Sequence, residues 1–281
     1  MPDFWSKVND FDLCASSRRE LDEAGFTIIP GPVPANDLPR LIATYDAAVN
    51  DAISDDVKVG SSTTRVSDFV NRGPKFDELY LHPPVLKACC HIIGPPFRLS
   101  TMHARTLRSR SPAQDLHVDY ERDSRGWTMV GFIFMIDEFR DDNGTTRFVP
   151  GSHLWSEIPQ ELLGDRDRKA DYPAQVLACA PAGSVMLFNG SVWHGHTAIA
   201  LPSLAAPYRV PISAVTRSPG KTCLRACSRK RSLASVHSRS MCWPFSLITL
   251  AAPVANPVEL DLVRLAGTKR ITSGEGRLLR K

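Results

Sequence analysis

From Phe97 to His194 the chain is built of short apolar runs. "FRLSTMHARTLRS", "GWTMVGFIFMID", "TRFVPGSH", "AQVLACA" and "GSVMLFNGSVWH" follow one another, divided by turn clusters such as "DDNGT" and "APAG". Runs this short, rich in β-branched and aromatic residues and bounded by Gly, Pro and Asn, are strands. Several of them at regular spacing must close on one another to bury their faces, which predicts a barrel or sandwich. No stretch of eighteen apolar residues occurs, so no membrane span is expected.

The upstream segment has a different period. "SSRRELDEAGFTIIPGPVPANDLPRLIATYDAAVNDA" opens on a polar helix start and passes through a short strand, "FTIIPG". It continues into a helix with Leu38, Leu41, Ile42 and Tyr45 at helical spacing. "PPVLKACCHIIG" predicts a further short helix, stopped by Gly94 and two prolines. Helices followed by many strands predict a mainly β chain with flanking helices packed on a jelly-roll barrel. No internal repeat is evident.

Within the strand region, "DLHVDY" sets His117 and Asp119 two residues apart. On a strand, residues i and i+2 share a face, so an imidazole and a carboxylate placed this way can grip one ion. The pair alone says little, because His-x-Asp is common and a surface histidine beside a solvated acid is its ordinary meaning. "GSVMLFNGSVWHGHTA" supplies a third ligand 75 residues after Asp119. Two histidines and one carboxylate form a facial triad that leaves open positions on iron(II). His194 is preferred as the third ligand, where an apolar strand emerges at Trp193. His196 shares its face if the strand continues.

The ordered set "ELDEAGFTIIPG", "LHVDY", "NGTTRFVPGSH", "AGSVMLFNG" and "WHGHTA" resembles the phytanoyl-CoA dioxygenase family of iron(II)- and 2-oxoglutarate-dependent oxygenases, over roughly residues 15–198. The resemblance implies a double-stranded β-helix, cupin-like in form, with His117, Asp119 and His194 as iron ligands. It implies decarboxylation of 2-oxoglutarate, with dioxygen as co-substrate and hydrogen abstraction from a small organic or acyl substrate. His196 is placed to help hold the oxo acid. Arg105, Tyr120, Trp127 and Arg147 are positional candidates for the pocket wall.

The resemblance also implies an arginine eleven residues past the distal histidine, where a guanidinium fork can meet the far carboxylate of 2-oxoglutarate. This chain has Ala205 there, and the nearest arginine, Arg209, is the candidate to bind the oxo acid in its place. Composition changes in the same region. Residues 1–198 carry 20 Lys and Arg against 27 Asp and Glu, whereas residues 199–281 carry 14 against 3. A basic tail usually signals nucleic acid or membrane, yet "CLRACSRKRS" lacks interleaved aromatics and any recognised module. The neighbouring reading frame accounts for it better. "IALPSLAAPYRVPISAVT" permits "NRSAEPRRSIQGAYIRRD", which restores an arginine at position 205. The expectation is therefore a dioxygenase domain over 1–198 and an out-of-frame, poorly ordered tail over 199–281. The alternative is an inactive or metal-binding-only remnant. A small-molecule substrate is expected, without nucleic-acid or membrane partners.

The opening "MPDFWSKVNDFDLCASSRRE" lacks an apolar signal core. Cys14, Cys89, Cys90 and Cys179 read as reduced thiols, and Cys223 and Cys227 lack a second ligand pair for zinc. A cytoplasmic setting is expected.

Overall fold

The computed structural model describes residues 11–94, 97–108, 110–159, 162, 170–199 and 208–217. The chain divides into two units, Met1–Ile248 and Thr249–Lys281, and every described residue lies in the first. Helix α1 (Ala15–Glu23) leads into β1 (Phe26–Pro30), followed by α2 (Leu38–Asn50). A hairpin of β2 (Val57–Val59) and β3 (Thr63–Val66) precedes two helices, α3 (Asp77–Tyr80) and α4 (Pro83–Ile92). The remaining strands are β4 (Phe97–Leu107), β5 (Met129–Phe134), β6 (Thr146–Phe148), β7 (Val176–Leu177), β8 (Ser184–Asn189), β9 (His194–His196) and β10 (Tyr208–Arg217).

The strands form two antiparallel sheets. The larger runs β1-β8-β5-β10-β4-β3-β2 and the smaller β7-β6-β9. An isolated bridge between His117 and His194 extends the small sheet by one residue. Strands β5 and β8 are buried along their whole length, because both faces of the large sheet are covered there. Val130, Phe132, Phe134, Val185 and Leu187 pack on the helical side with Leu41, Tyr45 and Val85. Their alternating neighbours Ile133, Met186 and Phe188 pack on the opposite side with Leu107, Phe139 and Phe148. Two-sided burial turns an alternating strand into a continuous apolar run, which explains why "MVGFIF" and "SVMLF" look uniformly hydrophobic.

The helices fall where the spacing put them, with Leu38, Leu41 and Tyr45 buried and Ile42 partly so. The hairpin β2–β3 was not foreseen. Its apolar residues are few, and Val59 and Arg65 are exposed, so no strong alternation marks it. The "LHVDY" segment also departs from expectation. His117 makes a single bridge and Asp119 lies in a bend rather than a strand.

Beyond residue 198, Ile199 is buried and bridges Asn143, and β10 pairs with β4 and β5 inside the large sheet. Ala205 and residues 218–281, which carry the remainder of the basic tail, lie outside the described residues.

Candidate metal centre

The centre is assembled by backbone pairing. His117 donates its N–H to the His194 carbonyl (3.0 Å), and His194 donates back to the His117 carbonyl (2.9 Å). This mutual exchange sets the two residues directly opposite, with ring centroids 4.6 Å apart. Past the bridge, the Gly190 carbonyl accepts from the N–H groups of both Asp119 (2.9 Å) and Tyr120 (3.0 Å). That tether turns the chain so that the Asp119 carboxylate faces both rings. Its Oδ1 lies 3.8 Å from His117 Nε2 and its Oδ2 3.7 Å from His194 Nε2. The three ligand atoms lie within 4.8 Å of one another.

The rings are oriented from behind. His117 Nδ1 donates to the Asp115 carbonyl (2.8 Å) and His194 Nδ1 to the Val192 carbonyl (3.0 Å). With Nδ1 carrying the proton, each Nε2 presents its lone pair towards Asp119, the arrangement a metal requires. Phe188 and Phe148 flank the His194 ring, with centroids at 4.8 and 5.7 Å. Burial pushes the His194 pKa down to about 4, assisted by His117 and Arg105 and opposed by Asp119. The ring is therefore neutral at pH 7, with no proton to displace. The "HGH" sequence has a steric reason as well. A Cβ on Gly195 would lie 3.0 Å from the carbonyl oxygens of Gln114 and Asp115, so the loop carrying His117 could not lie this close to β9.

The triad opens into a cavity of about 240 Å³. Its lining is part apolar, with Leu107, Ile133, Phe139 and Phe188, and part polar, with Arg65, His103, Arg105 and Gln114. His196 lines the cavity but stands outside the triad. Its Nδ1 donates to the Thr197 carbonyl (2.9 Å), and its Nε2 accepts from the Ser62 hydroxyl (3.2 Å).

Of the positional candidates, Arg105 and Tyr120 line the cavity, and Trp127 and Arg147 do not. Arg122 stacks over the Trp127 ring at 4.7 Å, and Trp127 also packs on His153. Arg147 is fully buried and donates to the carbonyls of Ala170 (2.8 Å) and Gln114 (3.0 Å) and to Gln175 Oε1 (3.1 Å). It is a strut, and an arginine inside a short β-run cannot be told apart from a ligand-binding one by its letter. Arg209 is likewise a strut. Its Nε and Nη2 fork onto Asp46 at 2.6 and 2.8 Å, while its backbone N–H and Nη1 reach Asp137. Its side chain does not line the cavity. Gln114, Arg65, His103 and Ser62 were missed, because no motif or spacing distinguishes them in the sequence.

Burial holds three cavity imidazoles, His103, His194 and His196, neutral down to about pH 4 against an ordinary value of 6.5. The unfolded chain binds more protons than the folded one between those values. Stability is therefore full above pH 6.5 and is lost as pH falls towards 4. Melting of the metal-free chain across that window checks this, and His103→Gln should flatten part of the slope.

Comparison with known proteins accords with this geometry. The family model described as Phytanoyl-CoA dioxygenase (PhyH) matches residues 21–199. "Dioxygenase cdmA" of Talaromyces verruculosus is 39% identical over 107 residues, 35% of this chain and 32% of that protein. "Multifunctional dioxygenase ausE" of Penicillium brasilianum is 26% identical over 196 residues, 62% of this chain and 63% of that protein. The chain thus spans between about a third and under two thirds of these curated relatives. Among solved structures, HygX from Streptomyces hygroscopicus with nickel, 2-oxoglutarate and hygromycin B bound matches with TM-score 0.59 at 16% identity. That match covers 73% of this chain and 87% of HygX. The epimerase SnoN in complex with Fe3+, alpha ketoglutarate and nogalamycin RO matches with TM-score 0.57 at 15% identity, covering 82% and 93%.

Proposed function

Because the chain belongs to the phytanoyl-CoA dioxygenase family, we propose that it acts as an iron(II)- and 2-oxoglutarate-dependent dioxygenase on a small organic or acyl substrate. One observation carries the reading: Asp119 faces two histidine Nε2 atoms, and both histidines have Nδ1 tied to backbone carbonyls. This donor set suits iron(II) and leaves coordination positions open. The two sheets are read as a double-stranded β-helix, supported by their antiparallel order and by the likeness to HygX and SnoN. A cytoplasmic setting fits the free thiols of Cys14, Cys89, Cys90 and Cys179.

With dioxygen, iron(II) and 2-oxoglutarate supply an oxidation coupled to loss of carbon dioxide. The protein's residues set the conditions. His117, Asp119 and His194 would hold the ion, and all three line the cavity. Leu107, Ile133, Phe139 and Phe188 exclude water from that space. Thr146, and His196 once its Nε2 gives up the Ser62 hydroxyl, would offer polar contacts to the oxo acid.

The expected result is a weak visible charge-transfer band when iron(II) and 2-oxoglutarate are added without air, followed by succinate when air is admitted. Failure to bind iron would overturn the reading.

A second reading is a metal-binding remnant whose residues 199–281 come from a shifted reading frame. Two observations favour it. Arg209 is occupied by Asp46 and Asp137 rather than facing the cavity. Strand β10 is interior, yet contains Pro211, which has no N–H to give to a ladder. On this reading iron binds but succinate forms only after residues 199–281 are replaced by the alternate-frame sequence.

A further inference from the structure

The three residues of the centre are not held alike. His117 and His194 each have Nδ1 tied to a backbone carbonyl, which fixes the plane of the ring. Among the described residues the Asp119 carboxylate meets the two imidazoles and no hydrogen-bond donor besides. Asp119 also lies in a bend outside both sheets, and Tyr120, Glu121 and Arg122 after it are exposed. Neither a ladder nor a packed face holds this stretch. A ligating carboxylate ordinarily has hydrogen-bonded support of its own, so the aim of Asp119 must come from its backbone.

That backbone is gripped from one place. The Gly190 carbonyl takes the N–H groups of Asp119 and Tyr120, and the Ser191 hydroxyl donates to the Tyr120 carbonyl at 2.7 Å. Tyr120 is thus held by both of its peptide groups. The donor side is firmly built. Ser191 is buried, its N–H rests on Asn189 Oδ1 (3.0 Å), and the Val192 N–H closes the turn on the Asn189 carbonyl (3.0 Å). The Asn189 N–H is bonded in turn to the Gly25 carbonyl (2.8 Å) and the Gly190 N–H to the Met129 carbonyl (2.9 Å). The same turn carries the Val192 carbonyl that orients His194. Residues 189–192 therefore aim both an imidazole and a carboxylate, and Ser191 does so through its side chain.

We propose that Ser191 is a positioning residue of the metal centre: its hydroxyl fixes the Tyr120 carbonyl and, through that peptide, the carboxylate of Asp119. This rests on the oxygenase reading, in which Asp119 is a ligand. Nickel(II) titration of wild type, Ser191→Ala, Asp119→Ala and the double variant tests it, with each chain also melted free of metal. Nickel binds such donors more tightly than iron(II), so the affinity left by Asp119→Ala stays measurable, and neither 2-oxoglutarate nor dioxygen is needed.

Ser191→Ala should bind nickel about 10- to 100-fold more weakly, the usual effect of losing a group that supports a ligand. Its metal-free melting temperature should fall by no more than about 2–4 °C, since one neutral hydrogen bond at an exposed residue is lost. In the Asp119→Ala background the same substitution should cost nothing further, because no carboxylate is left to aim. Ser191→Cys, close in shape but only a weak donor, should lose affinity in the same way and decides the matter if the alanine variant folds poorly. The proposal is overturned if these variants bind nickel as tightly as wild type. It is also overturned if affinity falls by the same factor with and without Asp119, which would make Ser191 a support of the fold alone. If the wild-type chain itself binds no nickel, the oxygenase reading fails and the proposal with it, whereas unaltered affinity in the Ser191 variants strikes the proposal only.

Discussion

Asp119→Ala yields a folded chain that no longer holds iron(II) and forms no succinate. Asp119 supplies the only anionic ligand of the centre, and its two oxygens address the two histidines separately at 3.8 and 3.7 Å. Removing it leaves two imidazoles and no anionic group, which bind a divalent cation far more weakly. Groups that merely orient ligands account for about 10- to 100-fold in metal affinity, so loss of a ligand should exceed about 100-fold. The side chain is about one-third exposed and its backbone N–H stays on Gly190, so metal-free melting should hardly change. Iron titration and melting measured together check this. Undiminished iron affinity would show that the triad is wrongly assigned.

Gly131→Ala should unfold the chain more readily than any exchange on the surface. Gly131 sits in the middle of β5 opposite Phe188, and a Cβ there would lie 2.1 Å from the Phe188 ring. The ring cannot withdraw freely, because Phe148 and His194 pack against it. Forcing a methyl group into a packed interior costs about 3 kcal/mol at the upper end of the usual range. The displaced ring presses on His194, so iron affinity should fall along with stability. Gly131→Ala combined with Phe188→Leu should recover part of the lost stability, a coupling expected of side chains in contact. Denaturant unfolding of the two single variants and the double variant measures it. Additive losses would refute the packing argument.

Two kinds of residue explain how much could be read before the fold was known. His117, Asp119 and His194 were legible because metal chemistry restricts ligands to a few side-chain types, and the flanking apolar runs show where strands end. Arg105, Arg147 and Arg209 were not sorted by their letters. Arg147 and Arg105 both lie in β-strands, yet the Nη groups of Arg147 are spent on backbone carbonyls and Gln175 away from the cavity, while Arg105 lines the cavity and donates to Gln114. Which guanidinium is a strut and which lines the cavity depends on what lies across the strand.

The amino-acid order by itself determined the helix-then-strand plan, the apolar faces and the choice of the three proposed metal ligands. These follow from local period, turn chemistry and ligand type, all of which are properties of near neighbours along the chain. Tertiary structure alone decided that a mutual backbone bridge holds His117 against His194, that Gly190 turns Asp119 towards both, and that Arg65 opposes Arg105. Those contacts join residues tens of positions apart, and their register is set by packing across the sheets, which no local pattern encodes.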